Sequence, residues 1–224
     1  TAAGFNIVAS NELVDSYRNI YELNFPNAKF LSNDIRDISD KEINELVKIH
    51  PEIDLFAGGP PCQGFSLAGK RDVEDQRNTL FYYYLKIASK VKPKVILMEN
   101  VRLLTSMKNP EGKLIKDEII NTFDAIGYNG KFFIVNASDY EVAQNRERVI
   151  FIAVRKDIDI PPSIPEPISP KYTDLFSRTT PKFTFGDAVS DLDYIESGES
   201  SKTDIYHKST KHPEHVIRWL YNVP

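Results

Sequence analysis

Among all residues of the chain, Asp54-Leu55-Phe56-Ala57-Gly58-Gly59-Pro60-Pro61-Cys62-Gln63-Gly64-Phe65-Ser66 is the stretch best suited to chemistry. Its short apolar run reads as the end of a buried strand, which two glycines and two prolines stop in a tight, irregular loop. The chain's only cysteine sits on that loop. A thiol just past a strand's carboxyl end stands where open α/β sheets gather ligands and reacting groups. A lone cysteine is often just a small buried hydrophobe, but a core-filling residue needs no loop of this composition. Three acids, Glu12, Asp34 and Glu99, also follow apolar runs. Such a carboxylate is commonly a cap or a solvated turn residue, yet in nucleotide-binding sheets it accepts both hydroxyls of a ribose. Glu12 suits that role, and Asp34 suits an adenine amino group.

These side chains need a scaffold, and the hydrophobic pattern supplies one. Strands are expected at 5–10, 29–31, the short apolar run from Leu55, 95–98, 131–135 and 149–154, the fourth ending where the acid-bearing Glu99-Asn100-Val101 begins. Helices are expected at 13–23, at 40–49 with Asp40 as N-cap, at 79–90 and at 116–126. A loop spans 136–148. The alternation implies a doubly wound, mostly parallel α/β sheet. Beyond Lys156, Pro161, Pro162, Pro165, Pro167 and Pro170 form an extended linker that cannot join the sheet interior. The expected division is therefore a catalytic, cofactor-binding domain at 1–156 and a linker with the start of a further region at 157–224, the latter carrying short helices near 186–192 and 215–221.

With 224 residues, the chain can carry one sizeable core, or one domain and the start of another. The apolar and charged fractions, 41% and 27%, are those of an ordinary globular protein. No apolar run reaches membrane-spanning length. One cysteine permits no internal disulfide and no Cys-rich zinc cluster, so no metal is expected and a reducing, cytoplasmic setting fits. The net charge of −4 does not by itself suggest a nucleic-acid binder. From Cys62 to Lys94, however, seven basic residues stand against three acidic ones, either a solvated helix surface or a face for phosphates. A cysteine hydrolase would need a histidine base. His50 is near in sequence, while His207, His212 and His215 fall outside the sheet.

Pro60-Pro61-Cys62-Gln63-Gly64-Phe65-Ser66 resembles the nucleophile loop of the DNA cytosine-5 methyltransferases. Five further segments resemble that family in the same order over residues 1–155: Asn11-Glu12, Asn33-Asp34-Ile35, Asp75-Gln76-Arg77-Asn78-Thr79-Leu80, Glu99-Asn100-Val101 and Gln144-Asn145-Arg146-Glu147-Arg148. The resemblance implies an S-adenosylmethionine-dependent fold and enzyme of the bacterial modification type acting on double-stranded DNA. It assigns Cys62, Glu99 and Arg148 to catalysis, and Glu12, Asp34, Ile35, Pro60 and Leu80 to the cofactor. Gln63, Ser66, Asn100, Val101 and Arg146 fall to the substrate. The family's glycine-rich cofactor loop, its first and central strand and its target-recognition domain are not in the sequence. The chain is thus expected to be a fragment, or part of a split enzyme completed by a complementary polypeptide. The alternatives are a tRNA methyltransferase of the same family and an inactive, methylase-like nucleic-acid-binding module.

Overall fold

Residues 1–61, 80–168 and 184–221 are described by the computed structural model. The chain divides into two compact units, one of Thr1–Asn136 with Arg146–Pro167 and one of Ala137–Asn145 with Ile168–Pro224.

The first unit holds the strands and most helices: β1 (Ala9–Ser10), α1 (Asp15–Asn24), β2 (Lys29–Phe30), α2 (Asp40–Ile49), β3 (Leu55–Gly58), α3 (Leu80–Val91), β4 (Val95–Val101), α4 (Ile115–Ala125), β5 (Tyr128–Asn136) and β6 (Glu147–Arg155). β1 and β2 form a small parallel sheet, and a second sheet runs in the order β3-β4-β6-β5. Its β3–β4 pair is parallel, while β6 is antiparallel to both neighbours. Among the described residues the sheets are therefore mixed rather than mostly parallel. The reason is the direct link from β5 to β6, which lacks a crossover helix and so lays β6 antiparallel beside β5. α4 meanwhile carries the chain over from β4 to β5 across the gap that β6 fills.

The core lies on one face of this second sheet. Along β4 only alternate residues are buried, Ile96, Met98 and Asn100, and along β6 Val149, Phe151 and Ala153 match them. Onto that face pack Phe81, Tyr84, Leu85 and Ala88 of α3 and Ile115, Ile119 and Phe123 of α4. Gly130 in β5 gives the Phe123 ring its seat, for a β-carbon there would lie 2.7 Å from the ring. A smaller cluster joins Ile43 of α2 to Ile87 and Val91 of α3.

Several boundaries differ from those read in the sequence. β1 is confined to two residues. Ser39, not Asp40, caps α2: its hydroxyl accepts from the Glu42 amide while the Glu42 carboxylate accepts from the Ser39 amide, a reciprocal box that Asp40 cannot form one residue later. β4 runs on through Glu99-Asn100-Val101, and β5 and β6 take in both ends of the expected 136–148 loop. Polar residues extend these strands because the antiparallel ladder pairs Val101 with Arg148 and Val135 with Arg148.

In the second unit, α5 (Phe185–Ala188) and α6 (Glu214–Leu220) flank an irregular hairpin closed by a Ser200–Lys208 bridge. Asp193 braces it by accepting from the Ser201 and Thr203 hydroxyls.

Candidate active site

Strand parity sets the first half of the site. In β4 the residues between the buried ones, Leu97, Glu99 and Val101, point to the less covered face, as do Arg148 and Ile150 of β6. Glu99 lies opposite Ile150, and Arg148 opposite Val101, so Glu99 and Arg148 are diagonal neighbours on one face, within reach of long side chains. Arg148 Nε lies 2.8 Å from Glu99 Oε1, and its Nη1 donates to the Glu147 carbonyl at 2.8 Å. Glu147 is itself held by Arg102. Arg146 is exposed, and its backbone amide donates to Asn136 Oδ1.

Asn100 has the opposite parity and is buried. Its Nδ2 donates to the Pro60 carbonyl at 2.8 Å, and its Oδ1 accepts from the Val101 amide at 2.9 Å. The residue expected to contact substrate thus has its amide engaged with the loop that leads to Cys62. Cys62, Gln63 and Ser66 lie outside the described residues, as do Lys70, Arg71 and the segment before Leu80.

The second half is a cavity of about 780 Å³, within the ~300–1,000 Å³ range of small-molecule and cofactor sites. Glu12, Asp34, Ile35, Pro60 and Leu80 all line it. Val8–Ser10 form part of its wall together with Leu55, Phe56 and Ala57 of β3, and Tyr84, Ile87 and Val91 of α3 also face it. Among the described residues, the Ser10 hydroxyl on that wall is buried and meets no hydrogen-bond partner. Glu12 uses Oε1 to accept from the Val14 amide at 3.0 Å, ahead of α1. Asp34 opens a tight turn at Ile35–Asp37 and accepts from the Arg36 amide and guanidinium. Those hydrogen bonds hold its carboxyl below the usual range.

Sequence reasoning missed two contributors. Arg36, two residues beyond Asp34, faces the same cavity and pairs with that acid; the Asp-x-Arg spacing of a side-chain-capped turn was the available signal. Tyr84, one of several aromatics in α3, donates to the Phe56 and Leu97 carbonyls at 3.0 and 2.9 Å. Its ring also requires Gly58, where a β-carbon would lie 2.6 Å from the ring edge. Nothing local distinguishes Tyr84 from Tyr82 or Tyr83 until the sheet is assembled.

Among the described residues there is no cluster of His, Cys, Asp and Glu able to hold a metal ion, and no helix long and apolar enough to cross a membrane.

The profile of C-5 cytosine-specific DNA methylases matches residues 1–222. The Type II methyltransferase M.DdeI of Desulfomicrobium norvegicum is 35% identical over 208 residues, which cover 91% of this chain and 47% of that protein. M.FnuDI of Fusobacterium nucleatum is 42% identical over 171 residues, 75% of this chain and 46% of that protein. The chain therefore spans about half the length of these relatives. Among solved structures, a protein described as a DNA modification methyltransferase encoded within an E. coli prophage aligns with a TM-score of 0.64 and 27% identity, covering 88% of this chain and 52% of that one. A mutant DNMT2 of Spodoptera frugiperda shares the fold, with a TM-score of 0.54 over 81% of this chain and 51% of that one, at 23% identity. From the matched residues, which take in every segment of the site just described, the chain belongs to the C-5 cytosine-specific DNA methylase family.

Proposed function

We propose that this chain carries the catalytic half of a DNA cytosine-5 methyltransferase that moves a methyl group from S-adenosylmethionine to carbon 5 of a cytosine swung out of the duplex. One observation carries the reading: the five side chains assigned to the cofactor line a single cavity, and Gly59, which abuts Glu99 of the acid–arginine pair, lines it too.

The cavity suits the cofactor. Glu12 keeps one carboxylate oxygen clear of its Val14 contact for ribose hydroxyls. Asp34, with Arg36 beside it, presents polar groups near Ile35 and Leu80, whose apolar surfaces suit a purine ring. The Ser10 hydroxyl, without a partner among the described residues, adds a hydrogen-bonding group within the apolar wall. When bound, S-adenosylmethionine supplies an activated methyl group.

The chain's own residues do the rest. Cys62 adds as thiolate to carbon 6 of the base, which gives carbon 5 the electron density to take the methyl group. Negative charge then grows on the ring. A proton shared between the Glu99 carboxyl and nitrogen 3 offsets that charge, and the remaining Arg148 N–H groups donate to oxygen 2. A base, side chain or water, removes the carbon 5 proton, and sulfur leaves with the electron pair of its bond. The target must first be unstacked at an expense of a few kcal/mol, which Gln63, Ser66, Val101 and Arg146 help offset by contacting the flipped base and its backbone.

A complementary polypeptide segment fits the same reading. Lys29 and Leu31 donate to Val8 and Ser10, and Val95 donates to Asp54. Strand alternation then turns the backbone groups of Ala9, Leu55 and Ala57 away from their sheet neighbours. A strand entering between β1 and β3 would pair both edges and unite the two sheets into one doubly wound sheet.

Labelled methyl transfer in the intact protein tests the reading. Duplex DNA should be labelled in the presence of cofactor, and tRNA should not. Labelling of tRNA alone would transfer the assignment to the tRNA enzymes, and labelling of neither would leave an inactive binding module.

A further inference from the structure

We propose that Gly59 and Asn100 are positioning residues that hold the Pro60-Pro61 lead-in to the nucleophile in register with the Glu99–Arg148 pair. The inference rests on the methyltransferase reading for its consequence in turnover, but on geometry alone for the register itself.

β3 and β4 pair in parallel, with Gly58 opposite Met98. Continuing that register past the end of β3 sets Gly59 beside Glu99 and Pro60 beside Asn100. Directly opposed residues on neighbouring strands point to the same face, so a side chain at 59 would emerge toward Glu99. A β-carbon built on Gly59 lies 3.2 Å from Glu99 Oε2. The carboxylate, tethered to Arg148 through Oε1 at 2.8 Å, would have to give by a few tenths of an ångström.

One residue on, the prolines have ended the strand and Pro61 has no N–H to give. Asn100 takes over with its side chain, donating Nδ2–H to the Pro60 carbonyl at 2.8 Å from a buried position. The same amide is oriented by the Val101 N–H on its oxygen. The loop that reaches Cys62 two residues later is thus keyed to the strand bearing Glu99 at two successive positions. One key is a hydrogen bond and the other a missing side chain.

The test uses the intact protein and two readouts. The first is turnover on duplex DNA at saturating cofactor. Gly59→Ala should lower kcat about fivefold by displacing Glu99 a few tenths of an ångström, with Tm unchanged. In a Glu99→Gln background the same substitution should change kcat by less than about twofold, since paired effects at one contact are not additive. The second readout is alkylation of Cys62 by iodoacetamide, followed on its peptide, which needs no turnover. Asn100→Asp keeps the oxygen and loses the donor, and should speed alkylation about fivefold as the loop loosens.

Equal kcat losses for Gly59→Ala in both backgrounds, with alkylation unchanged in Asn100→Asp, would overturn the proposal while leaving a methylating wild type intact. Faster alkylation without methyl transfer by the wild type would uphold the register and sink the reaction. If Asn100→Asp does not fold, the Gly59 pair of turnover measurements still decides.

Discussion

At the scale of single residues, the Glu99–Arg148 pair is informative because its two possible roles differ in size. Both side chains are partly exposed, 44% and 21%, and an ion pair of that kind contributes about 0–1 kcal/mol to stability. Donors aimed at charge developing in a reaction contribute about 3 kcal/mol. Glu99→Gln and Arg148→Lys should therefore leave the unfolding midpoint nearly unchanged while lowering kcat about 10²-fold or more; lysine keeps the charge but not the planar fork. A loss of stability that matched the loss of turnover would make the pair structural instead. Tyr128 gives the converse case. Its hydroxyl donates to the Pro93 carbonyl at 2.6 Å, and burial pushes it up to about 12. Tyr128→Phe removes the donor from a buried carbonyl and should destabilise by about 1–3 kcal/mol, read by denaturant titration, with cofactor affinity untouched.

At the scale of elements, α2 carries a pH signature. Hydrogen bonds from the backbone and hydroxyl of Ser39, then of Ser32, lower the Glu42 carboxyl from 4.5 to about 2. A group depressed in the folded state stabilises fully above its unfolded value and loses that contribution as pH falls toward the folded one. Melting between pH 4.5 and 2 should thus show a loss of stability that Glu42→Gln flattens; an identical slope in the variant would remove Glu42 from the account. How well elements could be read beforehand depended on what fixes them. α1, α2 and α3 announce themselves by period and punctuation. The extension of β4 over Glu99-Asn100-Val101 does not, because polar side chains there are extended by pairing with β6, a non-local partner. The start of β5 was hidden for a related reason: Asn129 and Gly130 are poor strand formers, held by the ladder and by Phe123 over the glycine. The acids of the site could be read from their place after apolar runs, whereas the Asp34–Arg36 clasp and the Asn100–Pro60 bond required folded geometry.

At the scale of the whole molecule, the first unit is organised around strand edges that face one cavity. The mixed β3-β4-β6-β5 sheet was not legible, because no sequence signal says that β6 enters between β4 and β5. The open edges lead to a further expectation. The amides of Ala9, Leu55 and Ala57 should exchange quickly in the 224-residue chain alone and slowly once a complementary polypeptide carrying the proposed strand is added to pair them. Equal exchange in both would argue against that strand. The most direct measurement of the central claim concerns the sulfur of Cys62. Duplex DNA whose target cytosine bears fluorine at carbon 5 cannot release that substituent as a cation, so the reaction should halt with protein and DNA joined. The account predicts a denaturant-resistant complex that requires S-adenosylmethionine, maps to Cys62 and is lost in Cys62→Ala; a complex that survives that substitution, or wild-type methylation without any trapped species, would contradict it.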